Sequence, residues 1–286
     1  MNFLRTKPAI ATFIVFALLA VNTAAVYAIF EPASELLTVS FLDVGQGDAI
    51  LIESPEGVQL LIDGGRDRAV VRELPRVMSP LDRSIDMVLA THPDADHIGG
   101  LPDVLNRYRV SYYLSPGIEH GTSQAERLGA AVEDELGAVS ILARKGMRIH
   151  LGESVYADVL YPDRDVSKAE TNSGSVVVRL VYGNTSFMFT GDAPSSVEDY
   201  LIALGGELDS DVLKAGHHGS HTSTSAAWLD AVTPSVVVIS AGKDNSYGHP
   251  HEEVLERVRA SGASVASTVE DGTIIFKSDG RTMVHK

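Results

Sequence analysis

The chain has 286 residues, a formal net charge of −15 and no cysteine, so disulfide bonds and thiolate metal sites are excluded. The acidic excess argues against nonspecific coating of nucleic acid, which depends on Lys and Arg side chains, so any such contact must be local or metal-mediated. The length fits one α/β domain with an ample core, preceded by an N-terminal segment.

Residues 1–30 have the pattern of a targeting segment. Arg5 and Lys7 precede an uncharged run that is long enough to span a bilayer. The strongly apolar part covers only Ile10–Val21, and small residues then lead to a cleavage-site pattern that ends at Ala28. A cleaved signal peptide and an uncleaved anchor both fit this pattern, and a buried core helix is the alternative without targeting. In either targeting case, the basic residues place the rest of the chain outside the cytoplasm.

The next part of the chain is predicted to consist mainly of strands that glycine-rich turns interrupt. The sequence DVGQGD, residues 43–48, breaks the first strand, and by composition alone it can be an ordinary glycine turn. Asp63-Gly64-Gly65 ends a later strand in the same manner. A carboxylate at Asp63 can orient a ligand imidazole, since metal-bound histidines usually donate their second N–H to an oxygen acceptor. The predicted elements are strands at Leu36–Leu42, Ala49–Glu53, Val58–Ile62 and Ile85–Ala90, and a helix at Arg68–Met78.

The densest group of potential metal ligands lies in the sequence THPDADHIGG, which joins the strand that ends at Ala90 to a predicted helix start at Leu101. Four ligand-type side chains occupy six positions there: His92, Asp94, Asp96 and His97. Imidazole nitrogens and carboxylate oxygens suit zinc or manganese. A cluster this dense can hold two ions, one with Asp96 and His97 and the other with His92 and Asp94. The alternative is a polar turn with Asp and His caps, which four ligand-type residues at this spacing disfavour.

The rest of the chain repeats the alternation of strands and helices. Two such halves predict an α/β fold, specifically a four-layer αββα sandwich. His120 and His150 stand alone in the sequence and are expected to be exposed or hydrogen-bonded and not to bind metal. The last two predicted strands are expected to complete the second sheet. The predicted strands are Val110–Leu114, Val139–Leu142, Met147–His150, Ser154–Leu160, Ser175–Tyr182, Thr185–Phe189, Val236–Ser240, Ser264–Ser267 and Thr273–Lys277, and the predicted helices are Ser123–Leu136, one that begins near Ser195, and Glu252–Ala260.

Polar groups follow several strands of this second half. Asp192 ends the apolar run at residues 187–189 and can serve as an ordinary helix N-cap. The sequence HHGSH, residues 217–221, places three histidines in five positions, which packing does not explain. Free N–H groups at the helix start before Trp228 favour an anion, although Ser220 and its neighbouring hydroxyls can equally be helix caps. Seven of the ten histidines lie in three such clusters, the third being YGHPH, which is the pattern of a metal centre.

These motifs together resemble a known family. HxDxDH at residues 92–97 resembles the HxHxDH signature of the metallo-β-lactamase fold, with Asp94 where most members carry a second histidine. Together with FLDVGQGD and HHGS, it resembles the hydrolase domain of the ComEC competence proteins and their free-standing relatives. The resemblance covers nearly all of the chain from about Leu37 onward and implies that residues 31–286 form one hydrolase domain of this fold.

The resemblance implies roles for individual residues. Asp192 would bridge two metals, and His217 would complete the shell of the Asp96–His97 metal. His218 would bind phosphate or protonate a leaving group, although the division of roles between these adjacent histidines stays open. Asn172 stands where many members supply another histidine, so it would complete the site or contact the substrate. The full prediction is metal ligands at His92, Asp94, Asp96, His97, Asp192 and His217, catalytic groups at Asp96 and His218, substrate contacts at Asn172, Ser173, Ser220 and His249, and orienting carboxylates at Asp48 and Asp63.

The function implied is that of a hydrolase with two divalent ions, Zn or Mn, whose bridging hydroxide attacks a phosphodiester. DNA is the leading substrate, with single-stranded DNA as a partner, and the membrane is a partner if the N-terminal segment stays uncleaved. No protein partner is predicted. The alternatives are an esterase for cell-envelope phosphodiesters such as phosphocholine, a carbonyl ester, lactone or β-lactam hydrolase, which Asp94 disfavours, and a binding module with a vestigial metal site.

Overall fold

A computed structural model describes residues 7–29 and 36–285 and divides the chain into two units after Ser34. The N-terminal unit contains helix α1 (Lys7–Ile29). Among the described residues, no helix combines the length and apolar content that a bilayer crossing requires. Arg5 and the expected boundary between residues 30 and 31 lie outside the described residues, so the signal peptide or anchor stays a prediction.

The second unit alternates strands and helices. Its strands are β1 (Leu37–Phe41), β2 (Ile50–Glu53), β3 (Gln59–Ile62), β4 (Ser84–Leu89), β5 (Arg109–Ser115), β6 (Val139–Leu142), β7 (Arg148–His150), β8 (Val155–Tyr161), β9 (Val177–Tyr182), β10 (Thr185–Phe189), β11 (Val212–Lys214), β12 (Val236–Ile239), β13 (Ser264–Ser267), β14 (Ile274–Ser278) and β15 (Met283–His285). Its helices are α2 (Ala69–Val77), α3 (Ala95–Ile98), α4 (Leu101–Leu105), α5 (Ser123–Asp134), α6 (Ser195–Leu204), α7 (Ala226–Val232), α8 (Glu252–Ser261) and α9 (Thr268–Asp271).

Within residues 36–285, eight strands form the first sheet in the order β15-β14-β1-β2-β3-β4-β5-β6. β1, β2 and β3 form an antiparallel meander, whereas β3 to β6 run parallel. Ile62 at the end of β3 pairs with Leu89 at the end of β4. Because parallel strands end at the same edge of a sheet, the residues that follow β3 and β4 emerge side by side.

The second sheet of the same unit has seven strands in the order β13-β12-β11-β10-β9-β8-β7. β10 to β13 are parallel, with Met188 opposite Leu213 and Lys214 opposite Val238. The loops that follow β10, β11 and β12 therefore leave one edge of the sheet together, as loops do at the carboxyl ends of parallel strands. The loop after β10 carries Asp192, the loop after β11 carries His217 and His218, and the loop after β12 carries His249.

Three apolar clusters produce the layers. The central cluster lies between the sheets, where Phe41 and Phe276 of the first sheet contact Phe187 and Phe189 of the second. A second cluster packs α2 to α5 against the first sheet, and a third packs α6 to α8 against the second. The predicted αββα sandwich is therefore confirmed.

The expectation that Thr273–Lys277 completes the second sheet was wrong. β14 pairs antiparallel with β1, with Phe276 opposite Val39, so it belongs to the first sheet. The alternation of apolar residues predicts a strand but does not say which sheet the strand joins.

Candidate metal centre

The predicted ligands come together where loops of both sheets meet. The loop after β4 supplies His92 and Asp94, and the first turn of α3 supplies Asp96 and His97. The loop that contains DVGQGD lies directly against α3, because Asp48 N donates to Asp96 O at 3.3 Å. Gly47 makes this approach possible: it has a φ of +120°, and a Cβ there would lie 1.9 Å from Asp96 O.

One group of ligand atoms surrounds His97. Its Nε2 lies 3.2 Å from Asp192 Oδ1 and 3.2 Å from His218 Nε2. His218 Nε2 in turn lies 3.5 Å from Asp96 Oδ2 and 3.5 Å from Asp192 Oδ2. Of the two adjacent histidines, it is therefore His218 that lies beside His97 and Asp96, whereas the resemblance implied His217 for that position.

A second group of ligand atoms surrounds His92. Its Nε2 lies 3.7 Å from Asp94 Oδ2 and 3.9 Å from Asp192 Oδ2. His217 Nε2 approaches the same Asp192 Oδ2 at 3.6 Å, and its side chain keeps 28% of its surface exposed. Asp192 thus lies between the two groups and contacts both.

The hydrogen bonds around these histidines turn every Nε2 inward. His97 Nδ1 lies 2.8 Å from Asp63 Oδ2, and His218 Nδ1 lies 3.0 Å from Ser240 O, and both partners can only accept. The Thr91 hydroxyl donates to Asp63, so it accepts from His92 Nδ1 at 3.0 Å. With the proton on each Nδ1, three Nε2 lone pairs face one another.

The fourth imidazole follows the same rule. His217 Nδ1 lies 3.1 Å from the Thr222 hydroxyl, which donates to Ser220 Oγ and therefore accepts from the imidazole. Its Nε2 lone pair consequently faces Asp192. Lone pairs and carboxylate oxygens at 3.2 to 3.9 Å repel one another unless positive charge lies between them. The side chains thus fit divalent cations.

Two buried atoms support the same conclusion. His92 Nε2 and Asn172 Oδ1 have no hydrogen-bond partner among the described residues. Buried polar atoms without a partner are rare and call for a specific explanation. Imidazole nitrogen is an ordinary zinc ligand and carbonyl oxygen suits manganese, so ion binding would satisfy these atoms.

The charges at the centre also favour the binding of cations. Burial by itself lowers the pKa of His218, but Asp192 and Asp48 raise that pKa to about 9. Burial and the neighbouring His97 lower the pKa of His92 to about 3, which keeps that imidazole neutral. The carboxylates therefore attract positive charge to the Nε2 atoms, and a metal ion competes with the protons for those positions.

Asp48 and Lys214 form an ion pair next to the centre that the sequence did not reveal. Lys214 is 1% exposed, and its Nζ lies 2.8 Å from Asp48 Oδ2 and donates to Ala215 O. Burial by itself raises the pKa of Asp48, but the positive charge of Lys214 lowers it, and the resulting pKa is about 2. Asp48 Oδ1 lies 3.4 Å from His218 Nδ1, on the side of the ring away from the ligand atoms. Asp48 is thus placed to orient His218.

The loop that carries His217 and His218 has an unusual backbone. His217, His218 and Thr224 all have positive φ angles, of 48°, 55° and 54°. Such conformations cost about 1–2 kcal/mol for each residue with a Cβ. Glu198 of α6, which is 1% exposed, accepts hydrogen bonds from Thr224 N at 2.6 Å and Ser225 N at 2.9 Å. The helix therefore stabilises the strained loop from outside.

A second charged side chain holds the same loop. Arg257 of α8 donates from Nη1 to Ser223 O at 3.2 Å and to Thr224 O at 2.6 Å. Sequence patterns did not identify Glu198, Arg257 or Lys214, because charged residues on helices and strands usually face solvent.

The predicted substrate contacts lie at different places. His249 is half-buried, and its ring centroid lies 5.5 Å from that of His217 and 6.3 Å from that of His218. Ser173 Oγ instead donates to Glu170 at 2.8 Å. Ser220 is 3% exposed and its hydroxyl accepts from Thr222 within the loop. The structure therefore brings His249 to the centre but engages both serines in their own loops.

Comparison with known proteins extends these observations. A family model described as the metallo-beta-lactamase superfamily matches residues 42–243. The chain is 28% identical over 267 residues to ComE operon protein 3 of Bacillus subtilis (strain 168), which covers 85% of this chain and 33% of that protein. It is 32% identical over 241 residues to recombination protein 2 of Haemophilus influenzae, which covers 82% of this chain and 28% of that protein. The chain thus spans about a third or less of these relatives.

A solved structure also shares the fold. Igni18, described as a novel metallo hydrolase from the archaeon Ignicoccus hospitalis, superposes with a TM-score of 0.54 at 16% identity. The match covers 84% of this chain and 98% of that one. At this level of identity the likeness supports the fold alone.

Proposed function

Because this chain belongs to the metallo-β-lactamase superfamily of metal-dependent hydrolases, we propose that it is a binuclear phosphodiesterase whose main substrate is DNA. One observation carries the proposal: Asp192 lies between two groups of ligand atoms, and four histidines direct Nε2 lone pairs toward it. A mononuclear site does not require two such groups around one carboxylate.

The two groups would hold one ion each. Asp96, His97 and His218 would hold the first ion, and His92 and Asp94, with the Asn172 amide, would hold the second. Asp192 would contact both ions. A pair of divalent ions supplies positive charge for a phosphoryl group and lowers the pKa of water.

The remaining polar residues have tasks that follow from their positions. Asp63 and Asp48 fix the rings of His97 and His218 so that each Nε2 faces the centre. His217 and His249 lie at the accessible side, where an imidazole can donate to a phosphate oxygen or protonate a leaving group. The buried Thr91 hydroxyl keeps the proton of His92 on Nδ1.

DNA is proposed as the substrate because relatives that match most of this chain carry names connected with competence and recombination. Since the chain covers only 28–33% of those proteins, their substrates are proposals for this one. The net charge of −15 favours a second candidate, a phosphodiester of the cell envelope, since an acidic surface is no handicap there. An extracytoplasmic location is proposed from the N-terminal pattern of residues 1–30.

The test is metal analysis of the purified full-length chain together with hydrolysis assays in zinc and in manganese. The substrates are bis(p-nitrophenyl) phosphate and single-stranded DNA. We expect two ions per chain and cleavage of both substrates. Cleavage of the small diester alone would favour the envelope candidate. Two bound ions without either activity would contradict phosphodiester chemistry and favour carbonyl substrates.

A further inference from the structure

A loop at the edge of the metal centre has no role in the proposed chemistry apart from that of His249 at its end. It consists of Gly242–His249, follows β12 and is called the Tyr247 loop below. One end is fixed to the DVGQGD sequence, because Gly242 N donates to Gln46 Oε1 at 3.1 Å. The other end is His249, whose ring lies 5.5 Å from that of His217. The loop therefore borders the metal centre, where the proposed chemistry would place the scissile phosphate.

Asn245 holds the Tyr247 loop in one shape. Its Nδ2 donates to Gly242 O at 2.7 Å and to His249 O at 2.6 Å. Its Oδ1 accepts from Tyr247 N at 3.1 Å and from His249 N at 2.9 Å. Four hydrogen bonds from one amide tie both ends of the loop together, so the side chains between them are presented on an ordered scaffold.

Tyr247 is the aromatic side chain that this scaffold presents. Half of its surface, 52%, is exposed. Its ring stacks on His249 with centroids 5.6 Å apart and planes at 22°. One face is thereby supported while the remaining exposed surface is free for another flat group. Sequence-tolerant binding of single strands relies on such aromatic platforms, because every base has a π face.

Lys243 provides a positive charge on the same loop. It is exposed and forms no ion pair among the described residues, whereas the nearby Arg259 is bound to Glu252 at 2.8 Å. Lys243, Arg259 and His249 line one cavity of about 210 Å³, which also contains Glu270. In a chain with a net charge of −15, an unpaired lysine that shares a cavity with His249 is a local place for a phosphate.

We propose that the Tyr247 loop grips single-stranded nucleic acid: Tyr247 stacks on a base, and Lys243 pairs with a phosphate next to the scissile one. This inference rests on the proposed phosphodiesterase function and specifies its substrate. A choline headgroup fits the loop poorly, because the unpaired Lys243 repels a quaternary ammonium and a single exposed tyrosine does not form an aromatic cage. The flat face and the cation together match a polynucleotide.

The test compares the metal-loaded full-length protein with the Tyr247→Ala and Lys243→Met variants. The ratio of kcat/KM for a twelve-residue oligothymidylate to kcat/KM for bis(p-nitrophenyl) phosphate is measured for each. Tyr247→Ala should lower this ratio about tenfold, in line with the value of one stacked base. The matched control is Tyr112→Ala, which removes a tyrosine of 44% exposure from β5 and should leave the ratio unchanged.

Two further measurements separate stacking from charge. The affinity for a phosphorothioate oligothymidylate, measured by fluorescence anisotropy, should fall in Tyr247→Ala, and the loss should disappear when the oligonucleotide is abasic. Lys243→Met should reduce the slope of log affinity against log salt concentration by about 0.7, the value for one phosphate contact on a single strand. Lys277→Met, which removes an exposed lysine of β14, is the control and should leave the slope unchanged.

The outcomes are distinct. An unchanged ratio in Tyr247→Ala, or an equal loss on the abasic strand, would overturn the stacking role. An unchanged salt slope in Lys243→Met would overturn the phosphate contact. If the wild-type protein fails to hydrolyse bis(p-nitrophenyl) phosphate but shows the expected binding changes, the phosphodiesterase proposal fails while the nucleic-acid grip stands.

Discussion

The two halves of the metal centre are built in different ways. The half that belongs to the first sheet takes four side chains from six consecutive positions, residues 92–97, on one short turn. The half that belongs to the second sheet takes Asp192 and the adjacent histidines from separate loops, and both of these histidines have positive φ. Local sequence therefore determines the first half, whereas distant charged residues hold the second half in place.

The largest effect is expected where the halves meet, at Asp192. Asp192→Asn keeps the volume of the side chain but replaces a charged oxygen that faces both groups of histidines. We expect metal content to fall from two ions to one or none and turnover to be lost. Metal analysis and hydrolysis of bis(p-nitrophenyl) phosphate measure this. Full activity in the variant would contradict the division of the centre around Asp192. Asp43→Asn, on an exposed loop, is the control.

Lys214 should show how much the second half depends on a buried charge. Lys214→Met removes the ammonium partner of Asp48, a carboxylate that is 1% exposed, and leaves His218 as its remaining charged neighbour. Breaking a buried pair in this way costs about 3–5 kcal/mol. Urea denaturation should show this loss. The double variant Lys214→Met/Asp48→Asn should recover most of the stability, and equal losses in the single and double variants would contradict the pairing.

The sequence predicted the first half more fully than the second for a physical reason. The four ligands of the first half lie within six consecutive positions, so a local pattern identifies them, just as local patterns predicted β6, β10 and β13 of both sheets with the observed bounds. The Asp48–Lys214 pair joins residues far apart in the chain, and no local pattern signals it. For the same reason, the strand at residues 274–278 was assigned to the wrong sheet. The positions of His217 and His218 relative to Asp96 depend on backbone angles that the motif does not encode.

Glu198 tests whether helix α6 positions the strained loop. Glu198→Gln replaces one of the two accepting oxygens with an NH2 group, so either Thr224 N or Ser225 N loses its acceptor. Loss of a hydrogen bond to a charged group costs about 1.5–3 kcal/mol. We expect urea denaturation to show this loss of stability. Competition titrations with a chelator should show weaker binding of one zinc ion and unchanged binding of the other. Equal weakening of both ions would indicate a general loss of structure. Glu198→Asp is expected to restore part of the difference.

Asp63 provides the corresponding test on the first half, with the smallest expected effect. Asp63 accepts from three donors, namely His97 Nδ1, the Thr91 amide and the Thr91 hydroxyl. Asp63→Asn retains one accepting oxygen, and asparagine tolerates the φ of 58° at this position, so the backbone should be unchanged. Loss of a carboxylate that orients a ligand histidine typically lowers metal affinity about 10- to 100-fold.

The zinc affinity of Asp63→Asn should therefore fall for the ion beside His97. The ion beside His92 should keep its affinity, because Thr91 still accepts from His92 Nδ1. Zinc titration against a chelator measures both affinities.

Comparison with Glu198→Gln then separates the two halves of the centre. In Glu198→Gln the loss of affinity should come with a loss of folding stability, because a strained loop is released. In Asp63→Asn the loss of stability should be smaller, because burial raises the pKa of Asp63 and a neutral amide avoids the cost of a buried charge. A large loss of stability in Asp63→Asn would show that the first half also depends on distant contacts.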